Sequence, residues 1–158
     1  MRNSIITAVF LASLGASATS YALTAKQSVE TETVIRLADG SETTERAPAH
    51  KVLPGQRIVY TLNFTNDEVK PATDLVLTMP VPAEIKYLEG SASETGLPPV
   101  YSTDGGKSFA ARNALEVRGT NGAVRQAKAA DITNIRWTVP GPISSGASGS
   151  LSFKGIVE

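Results

Sequence analysis

Residues 54–90 begin Pro54-Gly55-Gln56-Arg57-Ile58-Val59-Tyr60-Thr61-Leu62-Asn63-Phe64-Thr65-Asn66. After a polar turn they continue Pro71-Ala72-Thr73-Asp74-Leu75-Val76-Leu77-Thr78-Met79-Pro80-Val81-Pro82-Ala83-Glu84-Ile85-Lys86-Tyr87-Leu88-Glu89-Gly90. Pro54-Gly55 is a turn dipeptide. Ile58, Tyr60, Leu62 and Phe64 then alternate with Arg57, Val59, Thr61 and Asn63. A period of two puts the first set on one face, against a facing sheet. Asn66-Asp67 opens a polar loop that Pro71 closes. Leu75 and Leu77 point opposite to Val76 and Thr78. Pro80 and Pro82 stop this strand, since neither can donate to a ladder, and Ile85, Tyr87 and Leu88 resume it.

Working outward, the same alternation recurs. Val29, Thr31, Thr33 and Ile35 oppose Glu30, Glu32 and Val34, and Asp39-Gly40 supplies the turn of a tight hairpin. The return strand, Glu42 to Ala47, is polar, and Glu42, Glu45 and Arg46 suit an edge that resists pairing. Val100–Ser102 and Lys107–Phe109 read as a hairpin around Asp104-Gly105-Gly106. Leu115, Val117 and Val124 mark two short strands around Gly119–Gly122, and Ala127–Asp131 suits one helical turn. Ile135, Trp137 and Val139 alternate with polar residues, and Leu151, Phe153, Gly155 and Val157 close the chain. About eight or nine short strands separated by turn signals predict an all-β, antiparallel β-sandwich in one domain. Trp137, the single tryptophan, belongs at the centre of the core with its indole N–H on a carbonyl.

The start of the chain reads as a secretion signal over residues 1–22. Arg2 gives a positive start, Ile5–Leu14 a short apolar run, and Ser20 and Ala22 the small residues before a cleavage site. The apolar run falls short of the about 20 residues of a transmembrane helix. This divides the chain into a signal at 1–22, an N-terminal hairpin at 23–47 and a sandwich at 48–158. It predicts an exported protein, periplasmic or extracellular, with no transmembrane anchor after cleavage. The chain has no cysteine, and its 15 Lys and Arg balance 15 Asp and Glu. With no basic cluster, nucleic acid is not expected as a partner.

From about Val52 to Val157 the chain resembles the bacterial conserved-repeat domain, the domain of unknown function eleven family. The resemblance rests on Pro54-Gly55 with Val59-Tyr60-Thr61, on Phe64-Thr65-Asn66, and on Pro71-Ala72-Thr73-Asp74-Leu75. Pro82-Ala83 with Tyr87, Gly90-Ser91-Ala92, and Ile135–Val139 through Gly146 to Phe153 complete it. It implies an immunoglobulin-like sandwich in an exported or cell-surface protein. Such domains often occur in tandem, whereas this chain holds one copy and no internal repeat. The family brings no general catalytic residues.

Residue by residue, the chemistry is sparse. Ser102-Thr103-Asp104-Gly105-Gly106-Lys107-Ser108-Phe109 resembles an Asp-box hairpin, with Ser108 and Phe109 standing where Thr and Trp are usual. A single copy cannot build a propeller, so the expectation is a turn in which Asp104 accepts backbone N–H groups and Phe109 packs inward. His50 is the single histidine, sits in a polar stretch, and reads as solvated. Asp67, Glu68 and Asp74 flank one loop, and three scattered carboxylates fall short of the about six to eight oxygens that calcium takes. Glu30/Glu32 and Glu42/Glu45 read as the solvated side of a hairpin. No serine lies in a Gly-x-Ser-x-Gly context, so the chain is read as no enzyme, with no catalytic, cofactor-binding or metal residue assigned and no cofactor.

The function expected is a non-catalytic structural or adhesive module of the bacterial envelope or extracellular space. Its partner is another protein or a second copy, met through edge strands. Leu23–Leu37 folds back in its own chain or adds to a neighbour's sheet, and the intramolecular hairpin is the favoured form. The alternative function is a carbohydrate- or small-ligand-binding sandwich. Its sugar-stacking form requires Tyr87 and Tyr101 to be exposed and coplanar.

Overall fold

A computed structural model describes residues 23–158; the expected signal at 1–22 lies outside them. The described chain is all-β and antiparallel. Five strands, β1 (Leu23–Arg36), β2 (Glu42–Pro48), β3 (Arg57–Asn66), β5 (Ile85–Tyr87) and β10 (Ser148–Val157), form one sheet in the order β2-β1-β3-β10-β5. A facing sheet has the order β4-β9-β6, from β4 (Leu75–Pro80), β9 (Asn134–Val139) and β6 (Val100–Ser102). β7 (Glu116–Arg118) and β8 (Val124–Gln126) make a separate ribbon. The count is ten where about eight or nine strands were expected. Four of them, β5 to β8, are three residues long.

The alternation in 57–64 does what it predicts. Ile58, Tyr60 and Phe64 face the core, together with Leu151, Phe153 and Val157 of β10. Met79, Ile135 and Trp137 close it from the facing sheet. Tyr60 and Phe153 lie opposite each other across β3 and β10, their rings stacked 4.9 Å apart and 9° from parallel. Trp137 is fully buried, and its Nε1–H donates to the Ser93 carbonyl at 2.8 Å. Gly155 is required by this packing, since a Cβ there would overlap the Ile85 methyl.

The hairpin at 23–47 closes through Asp39-Gly40 as expected, Gly40 with φ 84°. It is continuous with the sandwich: β1 is an inner strand, paired with β3 from Leu23 opposite Asn66 to Glu32 opposite Arg57. β2 is the edge, and every residue of it is exposed. At the other side of the sheet, beyond β5, serine side chains stand in for a strand. Ser91 Oγ donates to the Lys154 carbonyl at 3.1 Å and accepts from its N–H at 2.9 Å. Ser93 Oγ accepts from the Ser152 N–H at 2.9 Å.

The register also fixes where the ends of the sheet lie. β1 and β10 flank β3 and run parallel to each other, both antiparallel to it. Leu23 sits beside the C-terminal end of β3 and Ile156 beside its N-terminal end. The start of β1 and the end of β10 therefore lie at opposite ends of the sheet. Among the described residues no helix is long and apolar enough to cross a membrane.

Candidate functional site

Two carboxylates organise the surface. Asp104 does so locally. Its Oδ1 accepts from the Ser102 hydroxyl at 2.7 Å and from the Lys107 and Ser108 N–H groups at 3.0 Å, and Oδ2 accepts from the Ser108 hydroxyl at 2.6 Å. Ser102 Oγ in turn accepts from the Gly106 N–H at 2.9 Å. The Ser108 hydroxyl first, then its N–H and the Ser102 hydroxyl, hold the Asp104 carboxyl well below the usual carboxylate range. The anion is what these donors bind. Gly105 and Gly106 adopt the positive φ that the turn needs, at 75° and 86°.

The expected hairpin is thus real as a turn, with two corrections. Residues 107–109 are not a strand; the return leg makes one bridge, Ala110 to Tyr101. Phe109 does not pack inward. It is half-buried at the surface, with the Arg136 guanidinium 3.5 Å above its ring centre. A cation on the ring face offsets the exposure of the aromatic.

Glu32 organises the other surface, and here the expectation of a solvated carboxylate fails. Its side chain is 1% exposed. It lies on the outer face of the five-stranded sheet, opposite Arg46 of β2 and Arg57 of β3. Arg46 donates to Oε2 from Nε at 3.3 Å and Nη2 at 3.2 Å, and Arg57 donates from Nη1 to Oε1 at 3.3 Å. Lys154 of β10 reaches over β3 to both oxygens, at 2.8 Å and 2.7 Å. Burial alone would raise the Glu32 carboxyl. Hydrogen bonds from Lys154 and Arg57, the Lys154 charge and Arg46 outweigh it, and the net direction is down. Val59, on the same face between Glu30 and Lys154 in register, is only 1% exposed although it lies outside the core. One carboxylate and three cations thus tie four strands together on the side away from the core.

The remaining charged candidates are not brought together. His50 is exposed, as are Asp67 and Asp74, while Glu68 is half-buried with its N–H on Asn66 Oδ1 at 3.1 Å. No group of three or more His, Asp or Glu among the described residues is arranged to hold a metal ion. Glu42 and Glu45 are exposed on β2. Tyr87 and Tyr101 are 1% and 6% exposed, tilted 54° to each other, and their hydroxyls share a hydrogen bond of 3.2 Å. They offer no stacking platform to a sugar.

Among the described residues, two of the shallow surface clefts stand out. One, of about 380 Å³, lies beside Glu32 and Arg57, between Thr31–Val34 and Gly55–Gln56. The other, of about 370 Å³, is lined by Gly90, Ala92, Glu94, Pro98, Pro99 and Tyr101 with the 111–113 turn. Beside it Arg112 forks onto the Glu89 carboxylate, its Nε at 3.0 Å and 3.1 Å from the two oxygens.

No protein-family model, no curated protein and no solved structure matches the chain.

Proposed function

We propose that this chain is an exported, non-catalytic structural or adhesive module of the bacterial envelope or extracellular space, related to the conserved-repeat domains it resembles. The observation that carries the reading is the arrangement of β1, β3 and β10. Strands that flank a common partner, the start of one and the end of the other at opposite ends of the sheet, are loaded in shear when pulled from those ends. Backbone hydrogen bonds run perpendicular to the strands, so such a pull strains the whole ladder at once and does not open it bond by bond. The Glu32 bridge adds cross-links over the same strands. The described surface concentrates its chemistry in holding the sheet together, which suits a module that transmits force or presents its edges.

The sugar-stacking alternative has no support, because its two tyrosines are buried. Export is tested by fractionating native cells and sequencing the N-terminus of the accumulated chain. A chain beginning at Leu23 in the periplasmic or extracellular fraction is expected. A cytoplasmic chain retaining Met1 contradicts the reading. Deletion of the gene should weaken attachment or envelope integrity without removing any metabolic activity; loss of a turnover activity alone would contradict it.

A further inference from the structure

The five-stranded sheet has one long open edge. On the β5 side, Ser91 and Ser93 satisfy the backbone of β10. In the facing sheet, β4 ends at Pro80, which has no N–H to offer, and β6 has three residues. Among the described residues no strand pairs with the outer side of β2.

Which groups of β2 are free follows from the register. Leu37 N–H donates to the Ser41 carbonyl and Ala49 N–H to the Val29 carbonyl, so the odd-numbered residues of β2 bond to β1. Antiparallel pairing alternates bonded and non-bonded positions. Glu42, Thr44 and Arg46 therefore turn their N–H and C=O groups away from the sheet. Their side chains also share one face, in the order acid, hydroxyl, base.

We propose that β2 pairs with β2 of a second copy of this chain, antiparallel and centred on Thr44, fusing two five-stranded sheets into one. In that register Thr44 faces Thr44, and Glu42 of each copy faces Arg46 of the other, whose Nε and Nη2 hold Glu32 and whose Nη1 is left for the pair. All three outward N–H groups of each strand find a carbonyl, and two opposite-charge pairs form on one face. On the other face Thr43 meets Glu45. Centring on Thr43 sets Glu42 against Thr44 and forfeits both charge pairs, and two other registers clash. Centring on Glu45 sets Glu45 against Glu45 and puts Pro48 opposite Glu42, where a donor is missing. Centring on Arg46 sets Arg46 against Arg46. The charges that would deter a foreign strand thus select a second copy in one alignment. Val34 and Ile35 of β1, 45% and 37% exposed, flank the seam one strand away and lose water on both faces when it closes. A contact of this size gives a weak, concentration-dependent dimer.

The inference rests on the structural-module reading and names its partner. The test is sedimentation equilibrium of the purified protein from micromolar to millimolar concentration. The wild type is expected to shift from monomer to dimer. Glu42→Arg replaces both attractive pairs by like charges and should weaken the dimer about tenfold or more. Thr44→Pro removes an outward N–H that β1 does not use, and an edge strand tolerates that change. It should be monomeric throughout with an unchanged melting curve. A wild type that stays monomeric, or a Thr44→Pro variant that still dimerises, overturns the proposal. A monomer found in the periplasm would sink this dimer and leave the module reading intact. A cytoplasmic dimer would do the reverse.

Discussion

Asp104 and Glu32 are both carboxylates held below their usual range, yet they are held by different means. Asp104 is exposed and collects hydroxyls and N–H groups from residues 102–108. Glu32 is buried and collects three cations from residues 14, 25 and 122 positions away. The first shapes one turn. The second joins β2, β1, β3 and β10, and its cost of burial is met only once the sheet has formed. Local donors order a loop; distant ones report on the whole fold.

The largest break in that comparison is expected from Glu32→Gln. The loss leaves three cations facing one another on the sheet. Breaking a fully buried pair costs about 3–5 kcal/mol. Here the cations keep 31–44% of their side-chain surface in water, which reduces the expected loss to about 2 kcal/mol by urea denaturation. The effect should fade in acid. The folded Glu32 pKa lies below its unfolded value, so its contribution is fully present above the unfolded pKa and is lost as pH falls through the folded one. The gap between wild type and Glu32→Gln should be flat near neutrality and shrink below about pH 4. A gap that persists unchanged into acid would show that the charge is not what stabilises.

Two of the three cations should rank by contact and exposure. Lys154→Met keeps the aliphatic stem and removes the closest charge, for about 1 kcal/mol. Arg46→Ala, the most exposed at 44%, should cost less, about 0.5 kcal/mol. Equal losses would argue against a bridge centred on Lys154. Asp104→Ala should act on its own turn. Amide exchange at Gly106, Lys107 and Ser108 should speed up while β3 and β10 keep their protection. Global loss of protection would place Asp104 in the same cooperative unit as Glu32. Phe109→Ala, which removes the Arg136 stack, should fall in the same small range, about 0.5–1 kcal/mol by urea denaturation.

The same contrast explains what the sequence discloses. The 54–90 alternation locates β3 and β4 because one face packs into the core and the other, Val59 apart, is not buried. The Asp104 turn is legible because every partner lies within four residues. Phe109 is misplaced by the sequence because its partner, Arg136, comes from β9, and only the fold decides which side of the turn meets it. Glu32 looks like any solvated acid in an alternating strand. Its partners are set by the register of β1 on β2 and β3 and by Lys154 reaching from β10, none of which has a local signature. Ser91 and Ser93 carry no strand pattern at all, since their side chains share the pairing with the backbone.

The central claim is that β1 and β10 brace β3 against force along the sheet, and single-molecule pulling tests it directly. The chain has no cysteine, so handles at Leu23→Cys and at Glu158→Cys, exposed just beyond β10, attach uniquely. A second pair, Leu23→Cys with Asp67→Cys, pulls β1 away from the neighbouring end of β3. The shear pair should unfold at clearly higher force than the peeling pair. Equal forces, or a weaker shear pair, would contradict the account.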